Sequence, residues 1–184
     1  MTAETPDSRR PITVLRNLDP VDIPDVIEQY ELMRSQFDGY DSGSMLEFEG
    51  MKSIVLKRGT DYKHADVRYS ADYINIYDID HDDELVGWAT IARINSGFRD
   101  MPHGLPYIGM TETVKEMRRQ GLGTRRLILA NELSLKTFGL PLNSDLTVDG
   151  TEEEAASLWQ KLVLEGKAEE VTDSDYGPTW RFKA

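Results

Sequence analysis

The chain has 184 residues and no cysteine. That one absence excludes disulfides, cysteine-ligated zinc, iron–sulfur clusters and thiol nucleophiles together. Long apolar runs are also missing. No stretch of about 18 apolar residues could form a transmembrane helix, and Met1–Arg10 has no apolar run after its two arginines. A soluble, cytoplasmic protein without a membrane partner is therefore expected, with residues 1–10 as a disordered tail. Repeats of about 20–50 residues are absent, which excludes a solenoid. Positive charge is scarce: 21 Lys and Arg face 33 Asp and Glu, for a formal charge of −12. Binding to phosphate backbones needs a basic surface, so nucleic acid is disfavoured as a partner unless the charges are unevenly placed.

What is present suffices for one core. Hydrophobic residues make up 39% and aromatics 9%, and domains run to about 100–200 residues, so residues 11–184 read as a single domain. Pro11–Leu15 (PITVL) is a short strand signal. Asp22 can cap a helix that fades near Gln36, with Ile23, Val26, Ile27, Tyr30 and Met33 at helical spacing. Met45–Lys57 fits helix or strand. Tyr73–Ile79 and Leu85–Ile94 read as strands joined by an acidic turn, Asp80–Glu84, and Tyr107–Val114 as a third. Thr124–Phe138 is apolar nearly all round and ends at Gly139, which describes a buried helix. Leu140–Val148 reads as a strand. Thr151 with Glu154 forms a capping box before a helix ending at Gly166, and Glu169–Thr172 and Thr179–Phe182 are short strands. The expectation is a mixed α/β (α+β) domain with about four helices.

The most informative stretch is Arg118–Thr124, RRQGLGT, between a strand and a buried helix. Glycines there let backbone amides approach a ligand, and the following helix offers its free N–H groups and positive dipole end. That chemistry suits a phosphate or pyrophosphate. A Walker loop would need Gly-Lys-Ser/Thr, and a dinucleotide fingerprint would need Gly or Ala where Arg126 stands, so both fail. The bland alternative is a glycine turn with surface arginines.

Tyr107–Leu164 as a whole resembles the Gcn5-related N-acetyltransferase (GNAT) family. The family's loop pattern Arg/Gln-x-x-Gly-x-Gly/Ala is complete in Arg118-Arg119-Gln120-Gly121-Leu122-Gly123. Its upstream run maps onto Thr113–Arg118, keeping Glu116 and Arg118 but not the usual aliphatic residue and proline. Its downstream strand maps onto Leu146-Thr147-Val148, and its next helix pattern falls on Glu152, Ala155, Leu158 and Trp159 without a gap. The N-terminal half agrees only in the order of elements. The resemblance implies one GNAT-like domain with a mostly antiparallel twisted sheet, its central strands splayed into a V-shaped opening for acetyl-CoA. It implies that the pyrophosphate lies on Arg118, Arg119, Gln120, Gly121, Leu122, Gly123 and Thr124, and that the pantetheine arm pairs with backbone groups of Thr111, Glu112 and Thr113.

Direct attack by an amine on the thioester needs a base, an oxyanion donor and an acid for the thiolate. The tyrosine that often supplies the acid in this family is Trp159 here, whose indole N–H is no acid at neutral pH. Tyr176 or a water is the substitute. Glu112 is the candidate base, provided that burial raises its pKa; Tyr107 is a weaker one. Tyr40 and Asp41, within the loop Phe37–Ser44, stand where the family shapes its acceptor pocket. Asp78, Asp80, Asp82 and Glu84 mimic the start of a calcium loop, but Asp83 replaces the required glycine and Ala89 the final glutamate, so a solvated turn is expected and no metal. His64, His81 and His103 have no metal-ligand spacing.

The reading is an acetyl-CoA-dependent N-acetyltransferase acting on a small-molecule or peptide primary amine. Two alternatives stay open: a GNAT-like acyl-CoA-binding or protein-interaction module without transfer, and a relative that modifies nucleic-acid bases. Lys115–Arg126 holds five basic residues against the single acid Glu116, a local +4 that leaves −16 for the rest of the chain. A basic island at the glycine loop, set in an acidic body, suits a polyphosphate and a cationic acceptor. Nothing in the sequence bears on oligomeric state.

Overall fold

A computed structural model describes residues 11–33, 39–146, 151–171 and 179–184. The disordered tail expected at residues 1–10 lies outside them. Six strands, β1 (Thr13–Leu18), β2 (Ser42–Phe48), β3 (Met51–His64), β4 (Val67–Ile79), β5 (Leu85–Ser96) and β6 (Pro106–Thr113), pair in sequence order, each antiparallel to the next. Helix α1 (Ile23–Gln29) joins β1 to β2, and α2 (Leu122–Phe138) follows β6. After α3 (Glu153–Leu164), strands β7 (Ala168–Val171) and β8 (Thr179–Phe182) form an antiparallel pair. The mixed α+β class and the antiparallel sheet agree with the sequence reading.

Three local expectations change. The ambiguous Met45–Lys57 is not a helix but parts of β2 and β3, folded at Glu49–Gly50, which leaves three α-helices among the described residues. Both turn residues have left-handed backbones, φ 51° and 78°, the geometry of a two-residue hairpin whose twist matches its strands. Secondly, Leu140–Val148 is no regular strand. Among the described residues it pairs only at Asn143, which bridges Tyr107 in parallel and Arg181 in antiparallel fashion and so continues the sheet from β6 toward β8. Thirdly, the capping box does not form. Glu152 occupies the N-cap of α3 with no side-chain cap bond, and the Thr151 hydroxyl is buried without a partner.

Strand alternation gives the sheet two different faces. Ile74 and Ile76 of β4 face α2 and pack with Leu127, Leu129 and Leu133, while Trp159, Leu162, Trp180 and Phe182 complete the same core. Tyr77, with Ile54 and Leu56 of β3, faces α1 at Ile23 and Val26. Farther along that second face, Tyr107 joins Tyr69, Ala71, Ala92 and Ile94, with Tyr73, Phe98 and Met101 at the margin.

Burial is the main cause that pushes the phenols of Tyr73, Tyr77 and Tyr107 up, the last to about 12. A raised phenol makes the folded chain hold its proton more tightly than the unfolded one. The associated stability is complete below the ordinary value of 10.0 and is lost as pH rises from there through the folded value. Each such phenol is expected to remove about 1.4 kcal/mol per pH unit across that window. Urea unfolding at about pH 9 and about pH 11 should show a falling midpoint, with tyrosinate absorbance appearing as the chain unfolds.

Candidate functional site

The segment after α2 meets β6 and then leaves it. Asn143 N–H donates to the Pro106 carbonyl and Ile108 N–H donates to the Asn143 carbonyl, each at 3.0 Å. Ile108 is the last residue of β6 with a described bond to that segment. Just beyond it, β6 carries a bulge: Ile91 of β5 pairs with Ile108 and Thr90 with Met110, so Gly109 has no opposite residue. Where the two segments diverge lies a cavity of about 400 Å³, lined by Ile108–Thr111 on one side and Asp145, Thr151, Glu152, Ala155 and Trp159 on the other, with Leu127 of α2. Thr151 brings its unpartnered buried hydroxyl to this wall.

Five residues before Leu127, roughly 7–8 Å along the helix, α2 begins in the glycine loop. The first intrahelical bond runs from Arg125 N–H to the Gly121 carbonyl at 3.0 Å, so the preceding amides have no intrahelical acceptor. Gly121 is left-handed at φ 79°, and Arg119, which is not a glycine, is left-handed at φ 63°. Such a conformation costs a non-glycine residue about 1–2 kcal/mol, so Arg119 is held there by its surroundings. Arg118 contributes by donating its Nε–H to the Thr113 carbonyl at 3.1 Å, which ties the loop to the end of β6. Gly123 faces α3, where an added Cβ would make ordinary contact with Leu158 at 3.5 Å.

The basic island is corrected by the structure. Arg125 and Arg126 do not face the loop; both are buried and share Asp78, a fully buried residue of β4. Arg125 Nη1 lies 3.0 Å from Asp78 Oδ1 and Arg126 Nε 2.7 Å from Oδ2, while Ser53 Oγ donates to Oδ1 at 2.7 Å. Arg125 also bonds the Phe48 and Met51 carbonyls, at the β2–β3 turn, and Arg126 bonds the Glu112 carbonyl at 2.7 Å. These arginines fix the start of α2 to β3, β4 and β6. The charge left at the surface is that of Lys115, Arg118 and Arg119, against Glu116 and Glu112.

Of the residues expected to hold the cofactor, Thr111 lines the cavity, and the loop Arg118–Thr124 lies outside its lining. Thr113 turns its hydroxyl toward Arg126 at 3.3 Å. Glu112 differs from the expectation of burial. Its side chain is about half exposed and lies 3.8 Å from Arg118, because strand alternation points it to the face opposite α2. Tyr107 is buried, and burial with Asp145 nearby raises its phenol, which makes it a poor base at neutral pH. Tyr176 lies outside the described residues. Trp159 is fully buried, lines the cavity and meets Phe182 edge-on, with centroids 5.2 Å apart. Asp41, expected at the acceptor pocket, has a structural bond among the described residues. Its carboxylate accepts the Gly59 N–H at 2.6 Å, and its own N–H bonds the Lys57 carbonyl, so it clasps the edge of β3. Tyr40 is half-buried and accepts a bond from Asn75. The Asp80 carboxylate accepts the N–H groups of Asp82 and Glu84, as a turn residue does.

Sequence reasoning missed the Gly109 bulge and Asp145; it reads Thr151 as a helix cap and Asp78 as part of a solvated turn, whereas Thr151 lines the cavity and Asp78 is fully buried within β4 between two arginines. A glycine inside a strand pattern was the available signal for the bulge. Comparison with protein-family models, characterised proteins and solved structures gave no match to this chain.

Proposed function

We propose that the chain is an N-acetyltransferase that moves an acetyl group from acetyl-CoA to a primary amine. The observation that carries this reading is the divergence of β6 from the Asn143 segment beside the Gly109 bulge, with the amide-rich start of α2 close by. A ligand with a long polar arm and a polyphosphate end fits that arrangement. The arm would lie along β6, and the orphan Thr151 hydroxyl offers it a hydrogen bond. The amides of Gly121–Thr124, with Arg118 and Arg119 as the nearby cations, suit the pyrophosphate. A backbone N–H of the bulge is the group available to hold charge on the carbonyl oxygen as the amine nitrogen bonds to carbon and the C–S bond breaks.

A second reading is favoured by two observations: Trp159 has no titratable group, and Glu112 is exposed and ion-paired, which suits a domain that binds acyl-CoA without transfer. The base-modifying alternative loses support, because two of the five arginines and lysines of the basic island are buried. Calorimetry with acetyl-CoA, followed by thiol release with a panel of amines, separates the first two. Binding with amine-dependent thiol release is expected. Absence of binding at about 1 mM acetyl-CoA, a free energy weaker than about 4 kcal/mol, would remove both.

A further inference from the structure

A chain of hydrogen bonds crosses the α1 face of the sheet, and its direction is fixed at one end. Tyr77 Oη donates to the Met33 carbonyl at 3.1 Å. A carbonyl can only accept, so the Tyr77 proton is committed there. The Tyr40 hydroxyl, 3.5 Å from that of Tyr77, must then be the donor of that pair. Tyr40 therefore receives the Asn75 Nδ2–H, at 3.0 Å, and this orients the amide so that Asn75 Oδ1 faces Thr90. Oδ1 has no proton, so Thr90 Oγ1 donates to it, again at 3.0 Å. The shorter links, Thr90 to Asn75 and Asn75 to Tyr40, run in one direction. The far end is a threonine oxygen whose proton is spent and to which, among the described residues, no side chain donates.

Thr90 stands opposite Met110 and next to the bulge at Gly109, on the face that also carries Trp88 and Glu112. Thr90 is part-buried, so its side chain is not sealed in the core. The ligand that an obligate acceptor recognises is one that brings an N–H or O–H. We propose, resting on the transferase reading above, that Thr90 Oγ1 receives an N–H of the acceptor amine and aims its nitrogen at the bulge. Asn75, Tyr40 and Tyr77 act through it as positioning residues. The arrangement selects a protonated or neutral amine over a ligand that offers only lone pairs at this point, because two facing acceptors without a proton repel.

The test uses the full chain with acetyl-CoA and three amines, n-butylamine, benzylamine and spermidine. In the wild type, amine-dependent thiol release is expected with at least one of them. Thr90→Val keeps the shape and removes the oxygen; it should raise the KM for that amine about tenfold or more, with acetyl-CoA affinity by calorimetry unchanged. Thr90→Ser should restore the wild-type KM. Tyr77→Phe frees the direction of the chain while leaving Thr90 in place, so it should raise the amine KM by a smaller factor and leave acetyl-CoA affinity alone. Unchanged amine KM in Thr90→Val overturns the proposal, and an unchanged KM in Tyr77→Phe overturns the directional argument. Acetyl-CoA binding without turnover on any of the three amines, and without amine-induced NMR shifts at the Thr90 methyl, also overturns it. Failure of the wild type to bind acetyl-CoA instead sinks the transferase reading beneath it.

Discussion

Asp78→Ala is expected to destabilise the fold by about 3–5 kcal/mol, the cost of leaving buried cations without their counter-charge. For a chain of this length that corresponds to a fall in Tm of about 6–20 °C, which a thermal melt followed by circular dichroism will read. Asp78 is fully buried and bonds Arg125, Arg126 and Ser53 at once, so no neighbour can replace it. Solvent cannot either: Arg126 is fully enclosed, and burial already lowers its affinity for a proton against the pull of Asp78. A companion variant separates lost charge from lost volume. Asp78→Leu combined with Arg125→Met and Arg126→Met removes every charge together and should recover part of the stability, because an all-apolar replacement carries no unpaired ion. Recovery should be incomplete. The carbonyls of Phe48, Met51 and Glu112 lose their donors in that variant. A Tm for Asp78→Ala within a degree or two of the wild type would mean that the arginines find other partners.

Gly121→Asp should weaken acetyl-CoA binding on the order of 100-fold or more, while Gly121→Asn should weaken it only a few-fold. Both variants carry the same left-handed strain at φ 79°, and a Cβ at this position meets no heavy atom within 4 Å, so both should fold. The difference between them is one negative charge at the start of α2. Two like charges about 4 Å apart repel by about 4 kcal/mol at an effective dielectric near 20, more than enough for that loss. The steric filling of a cradle plays no part, since the position is open. Calorimetry of both variants against acetyl-CoA decides the matter. Equal affinity would show that no phosphate sits against these amides.

The elements with strong local signals were legible in the sequence. Helix α2 ends where Gly139 enters the left-handed region at φ 70°, and the loop Arg118–Gly123 stands between strand and helix as its glycines imply. Met45–Lys57 was ambiguous because its periodicity fits either element, and the hairpin is decided by two left-handed residues at 49 and 50. Thr151 and Glu154 satisfy the spacing of a capping box, yet the threonine hydroxyl is drawn into the cavity wall instead. Tyr40 and Asp41 are neighbours in sequence with different tasks. Asp41 closes a strand edge, and Tyr40 belongs to the chain that ends at Thr90.

By itself the sequence determined that this chain has no thiol chemistry, that its strands and helices mix in one order, and that one glycine loop with basic neighbours precedes a buried helix. Only the tertiary structure decided which of those basic residues face outward. Arg118 and Arg119 look the same as Arg125 and Arg126 along the chain. A helix advances about 100° per residue, and the turn of α2 carries the second pair inward to a carboxylate on β4, 47 and 48 residues away. The same holds for Glu112, which the pleat of β6 sends to the open face. Long-range pairing and the direction of each side chain are properties of packing, and packing brings together residues that the sequence keeps far apart.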